Sequence, residues 1–140
     1  MQFFMEMIPP TVTAQEHKVS VRNGKPVFYD PPELTAARDK LTAHLAKHRP
    51  VKPLEGAVRL HVVWCFPAAG GHKDGEYRTS KPDTDNLNKL LKDCMTRTGY
   101  WHDDAQVVSE TCEKYWAIIS GILVSVESIP PLSPTGEEDK

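Results

Sequence analysis

Lys81-Pro82-Asp83-Thr84-Asp85-Asn86-Leu87-Asn88-Lys89-Leu90-Leu91-Lys92-Asp93 is followed, a short spacer later, by Tyr100-Trp101-His102-Asp103-Asp104-Ala105-Gln106-Val107-Val108. The first block reads as a helix with acids gathered at its start. A residue that precedes proline is biased away from helix, so the helix begins after Pro82. Asp83 and Thr84 are both good N-cap residues, and acids suit the positive end of the helix dipole. Leu87, Leu90, Leu91, Cys94 and Met95 recur at i, i+3, i+4, i+7 and i+8, the stripe of a core-facing helix. Asp85, Lys89 and Asp93 fall on the roughly opposite face, with Asn86 beside them. Gly99 is a plausible stop.

Taken alone, Asp83 and Asp85 at a helix start read as caps on a solvated face. The second acid pair adds weight to another reading. Asp103-Asp104 follows an aromatic pair and precedes a short apolar run, and a turn there can fold back towards the helix start. Four carboxylates meeting in one place repel one another unless a positive group stands between them. Lys89 offsets only part of that charge. Oxygen-only ligand sets of this kind suit Mg²⁺ or Mn²⁺.

Asp-x-Asp-Asn-Leu-x-Lys, about ten residues, and then aromatic-Trp-x-Asp-Asp-Ala-Gln-Val resembles the RusA family of Holliday junction resolvases. The joint signature is specific, whereas either half alone is weak. The resemblance implies a Mg²⁺-dependent endodeoxyribonuclease, with Mn²⁺ as a possible substitute. It implies action as a homodimer on four-way DNA junctions, in recombination and repair, with a 5′-phosphate product. The family's essential carboxylates correspond to Asp83, Asp85 and Asp104. Asp103 matches the neighbouring acid as a further metal ligand, and Lys89 matches the lysine on the helix as a catalytic cation.

The chain has 140 residues, of which 39% are hydrophobic and 26% charged. That is enough for one domain with a core and ordinary for a soluble globular protein. No apolar run is long enough to span a membrane, and residues 1–7 lack the basic start of a signal peptide. Three cysteines without CxxC spacing suggest reduced thiols in a cytoplasmic protein. Six histidines form no HExxH motif, and His102 beside the acid pair reads as a surface turn residue, with a role in the site as the alternative. A formal net charge of -2 argues against DNA binding by overall charge, so local basic clusters must carry it.

The rest of the chain is read as scaffold. Residues 2–7 form a first strand ended by Pro9-Pro10. Residues 18–22 and 25–29 form a hairpin about Asn23-Gly24, with Pro26 pointing to an edge position. Lys18, Arg22 and Lys25 make a small basic patch there, which serves edge protection or DNA contact equally well. Residues 33–48 form a helix with a basic later part. Residues 56–66 alternate as a strand with two partly apolar faces, expected at the centre of the sheet. Residues 67–82 read as a glycine-rich flexible loop. Lys73, Arg78 and Lys81 on it are candidate DNA-backbone contacts, and Tyr77 is a candidate stacking surface for an unpaired base. This basic stretch is sparser than the arginine run that relatives often carry before the first Asp. Tyr100-Trp101 packs beneath the acid turn. Residues 107–118 and 121–126 form two more strands.

These elements specify an α+β domain over residues 1–129: a mixed or antiparallel sheet of four or five strands with two packed helices. Residues 130–140 have the composition of a disordered tail. The runner-up function is a protein that binds branched DNA without cutting it. A Mg²⁺-dependent phosphohydrolase of small nucleotides comes third, since no GxxxxGK[ST] cradle is present.

Overall fold

In the computed structural model, which describes residues 1–13 and 18–132, the leucine stripe of the central helix is fully buried. The elements run β1 (Gln2–Glu6), β2 (Lys18–Arg22), β3 (Lys25–Tyr29), α1 (Pro32–Ala46), β4 (Val58–Pro67), α2 (Thr84–Thr98), β5 (Val107–Ala117) and β6 (Gly121–Ser128). Four strands make one mixed sheet in the order β1-β6-β4-β5. β4 and β5 are parallel, and the other two pairings are antiparallel. A parallel pair needs a long crossover, and α2 supplies it. This is the expected α+β architecture, with β4 between β6 and β5.

β4 alternates strictly. Val58, Leu60, Val62, Trp64 and Phe66 are buried beneath the helices. The register sets Leu60 opposite Glu110, Val62 opposite Cys112, Trp64 opposite Lys114 and Phe66 opposite Trp116. Paired residues share a face, so these four β5 side chains lie on the helix side of the sheet's edge strand. The position decides what surrounds α2.

α2 buries Leu87, Leu90, Leu91, Cys94 and Met95 as the spacing predicts, and also Asn88 and Thr98. Each fully buried leucine stabilises the fold by about 1.5–3 kcal/mol. Gly99 ends α2 at φ 88, the left-handed conformation in which glycine meets no Cβ penalty. α1 buries Leu34, Leu41 and Leu45. It stops at Ala46, two residues short of the expected end. Lys47 and His48 donate to the carbonyls of His44 and Leu45 in a tightened last turn, and Pro50 forbids its continuation. Tyr100 and Trp101 are buried as expected. The Tyr100 hydroxyl donates to Leu45 O at 2.6 Å, and Trp101 Nε1 donates to Thr96 Oγ1 at 2.7 Å.

Two expectations are revised. The hairpin turns at Asn23 (φ 53) and Gly24 (φ 76) as its sequence demands, but forms a separate two-stranded sheet. The glycine-rich segment before α2 is pinned to the edge of β5 rather than free. Gly75 N donates to Trp116 O, Trp116 N to Glu76 O and Arg78 N to Lys114 O, at 2.8, 2.8 and 3.0 Å. An edge strand offers unpaired donors and acceptors, and this segment satisfies part of them. Of the expected tail, residues 133–140 lie outside the described residues. No helix among the described residues is long and apolar enough to cross a membrane.

Candidate functional site

Asp83 is the N-cap of α2 in extended conformation (φ -75, ψ 150), yet its side chain makes no capping hydrogen bond. Its carbonyl accepts from Leu87 N at 3.0 Å, and among the described residues its carboxylate acts on the nearby Lys114 charge. The carboxylate is therefore not spent on the helix N–H groups. Asp85 accepts from Asn86 N at 2.9 Å and lines an open cavity of about 380 Å³ with Thr84, Glu110 and Cys112. Glu110 is a carboxylate that the sequence reading missed. Asn88 Nδ2 donates to it at 2.8 Å and Lys92 Nζ at 2.9 Å. Asn88 in turn accepts from Trp64 Nε1 at 2.9 Å within the core. Strand alternation could have grouped positions 110, 112 and 114, but the face they share depends on the β4 register, which is a tertiary fact.

The second acid pair sits on a clamped turn. Asp103 caps the single 3-10 turn Asp104–Gln106, its carboxylate accepting from Ala105 N at 2.8 Å. The Gln106 side-chain oxygen accepts from His102 N and Asp103 N at 2.7 and 3.0 Å. Its amide donates to the Leu54 and Gly56 carbonyls at 2.9 Å each. Asp103 and Asp104 line an open cavity of about 490 Å³ with Asp93, Thr96, Arg97 and His102. His102 is an exposed turn residue, 2.7 Å from Glu55.

The two acid pairs do not meet within one chain. Asp85 faces Glu110, whereas Asp104 shares its cavity with Asp93. Asp85 and Asp93 are eight residues apart on α2, about 12 Å along the helix axis. Among the described residues, no group of three or more His, Cys, Asp or Glu is arranged to hold a metal ion. The donor chemistry suits an oxygen-liganded divalent cation, but a single chain divides the donors between the two ends of α2. Lys89 lies between them, 4.0 Å from Asp93.

The basic candidates have separate placements. The Arg78 guanidinium lies 4.3 Å from the Phe66 ring centroid and 4.6 Å from that of Trp116, and donates to Lys81 O at 2.6 Å. Burial lowers its pKa. It thus anchors the pinned segment. Lys73 and Lys81 are exposed. Tyr77 is 66% exposed and stacks on Tyr115 at 4.8 Å. Tyr115 pairs with Cys65, which alternates with buried Trp64 and Phe66, so this stack lies on the sheet face away from α2. Lys18 and Arg22 lie on β2, and their side chains fall outside what the structure describes. Lys114, also missed in sequence, donates from Nζ to Ser80 O at 2.8 Å and Pro82 O at 2.7 Å. Burial and the Arg78 charge lower its pKa, while the Asp83 carboxylate opposes them.

Residues 8–127 match the family described as Endodeoxyribonuclease RusA. The chain belongs to the RusA family. A crossover junction endodeoxyribonuclease rusA of Lactococcus phage r1t is 32% identical over 109 residues, covering 76% of this chain and 82% of that protein. The protein YqaN of Bacillus subtilis (strain 168) is 28% identical over 109 residues, covering 70% of this chain and 76% of its own length. RusA membership makes the chain an endodeoxyribonuclease of the junction-resolving kind. The match includes α2 and the acid turn entire.

Proposed function

We propose that this RusA-family chain is a Mg²⁺-dependent, structure-selective nuclease that resolves four-way DNA junctions in recombination and repair, acting as a homodimer. The observation that carries the reading is the uncapped Asp83 beside Asp85 at the start of α2, in a chain that also rigidly clamps the Asp103-Asp104 turn. Asp83, Asp85, Asp103 and Asp104 would hold the metal, for which Mn²⁺ is a substitute. When bound, the ion supplies Lewis acidity toward the phosphate and a lowered pKa for water.

Pairing of two copies resolves the division of ligands. If the acid turn of one copy approaches the α2 start of the other, each site gains both pairs. An isologous dimer repeats the site twice, matching the two strands that a four-way junction presents for cutting. Lys89, exposed on α2 between the acid pairs, is suited to neutralise charge that develops on the phosphate. Lys73 and Lys81, with Lys18 and Arg22 of the hairpin, are proposed phosphate contacts. Arg78 serves by holding the segment in place. Tyr77 offers a ring to an unpaired base on the far face of the edge. Cytoplasmic location fits a protein that acts on chromosomal or phage DNA.

The divided ligand set of a single chain favours one second reading, a branched-DNA-binding protein that does not cut. Cleavage of a synthetic four-way junction, with and without Mg²⁺, beside a linear duplex of the same sequence, separates the two. Metal-requiring symmetric nicking of the junction alone is expected. Asp85→Asn should lower it by at least about 100-fold, equal to about 2.7 kcal/mol of barrier, and leave junction affinity nearly unchanged. Tight binding with no cutting in Mg²⁺ or Mn²⁺ would overturn the resolvase reading and support the second.

A further inference from the structure

We propose that Lys114 is a positioning residue of the nuclease site, holding the backbone of residues 80–82 so that Asp83 and Asp85 stand in one geometry. The proposal rests on the nuclease reading above.

The first turn of α2 is held only lightly, through Asn86 N–H donating to Asp85 Oδ1 at 2.9 Å and the Cys112 thiol donating to Thr84 O at 3.7 Å. Asp83, Thr84 and Asp85 are all exposed, and the N-cap side chain accepts no hydrogen bond from the helix. A helix start that is exposed and lacks an N-cap side-chain bond frays readily, because its first N–H groups are only partly satisfied. The restraint comes instead from the residues just before it. Pro82 is buried. The carbonyls of Ser80 and Pro82 both accept from Lys114 Nζ, and the intervening Lys81 carbonyl accepts from Arg78. Three consecutive carbonyls are therefore taken up by two cations.

Lys114 can reach them only because the parallel register sets it opposite Trp64, on the helix side of β5. A half-buried lysine is costly at a position where an apolar side chain would simply pack. What compensates it is this pair of carbonyls together with the nearby Asp83 charge. Removing the ammonium releases the Ser80 and Pro82 carbonyls and loosens the lead-in to α2, while Arg78, the leucine face and the sheet stay in place.

The test compares wild type with Lys114→Met, which keeps length and loses the donors, and with Lys114→Arg, which keeps charge and donors. Hydrogen exchange is measured on the metal-free protein. In Lys114→Met the Asn86 and Leu87 amides should exchange at least about tenfold faster, with the β4 amides unchanged. Metal-free junction affinity should stay within about threefold, while single-turnover cleavage of bound junction slows at least about tenfold. Lys114→Arg should recover more than half of the rate. Unchanged exchange at residues 86 and 87, an equal loss of binding and cleavage, or an arginine variant no better than methionine would each overturn the proposal. If Lys114→Met fails to fold, Lys114→Gln takes its place with the same expected pattern. A wild-type protein that binds without cutting would sink the nuclease reading, and the exchange comparison would still decide whether Lys114 holds the segment.

Discussion

Asn88→Ala should destabilise the domain by about 1–3 kcal/mol, although it removes only a small polar side chain. Asn88 is 1% exposed and Trp64 is 0% exposed. Truncation takes from the indole N–H its acceptor Asn88 Oδ1, 2.9 Å away, and leaves it only the weakly accepting Cys112 sulfur in a closed core. An orphaned buried donor costs about 1–3 kcal/mol. Glu110 also loses the Asn88 amide at 2.8 Å, but its side chain is 31% exposed and keeps Lys92 at 2.9 Å. Water and Lys92 therefore limit that loss to under about 1 kcal/mol. Alanine returns about 0.5 kcal/mol through its helix propensity. At about 3–4 °C per kcal/mol for a chain of this size, Tm should fall by about 3–12 °C. Urea unfolding followed by circular dichroism measures the free energy directly, and the slope should be unchanged. Glu110→Gln, which keeps an acceptor for Asn88, is the control and should cost less than about 1 kcal/mol. A loss below about 0.5 kcal/mol in Asn88→Ala, or a larger one in Glu110→Gln, would refute the network as the tie between α2 and β5.

Leu90→Ala, at a position with 0% exposure, should cost about 2–5 kcal/mol by leaving a cavity; an unchanged melting temperature would mean that α2 is not packed through this face. Burial pushes the Cys112 thiol up from 9.0 to about 12. Its folded pKa lies above the unfolded one, so the stabilisation is complete below about pH 9 and is lost as the pH climbs towards 12. The urea midpoint should therefore fall between about pH 8 and 10.5, and fall less steeply in Cys112→Ala. Equal slopes for the two proteins would contradict that assignment.

Much of this is legible in residue type and spacing, and the elements show why. The α2 stripe is a local pattern with a helical period, so every residue assigned to the core face is buried. Asn23-Gly24 demands positive φ at both positions and receives it. Tyr100 and Trp101 read as core aromatics packing beneath the acid turn, and both are buried. Asn88 was not legible as a buried polar residue, because only the indole of Trp64 and the carboxylate of Glu110 give it reason to be inside. The glycine-rich segment looked free because its partners, the backbone groups of β5, are some forty residues away in sequence.

By itself, then, the sequence determined the elements, the chemistry of the acids and the RusA kinship. All of these depend on residue type and short spacing, which the chain carries wherever it folds. Tertiary structure alone decided which acids share a cavity. A helix is a rigid spacer, so acids at its two ends stay about 12 Å apart however suggestive their spacing in the chain. It also decided, through a parallel register that no local pattern encodes, that Glu110 and Lys114 face α2 while Tyr77 faces the other way.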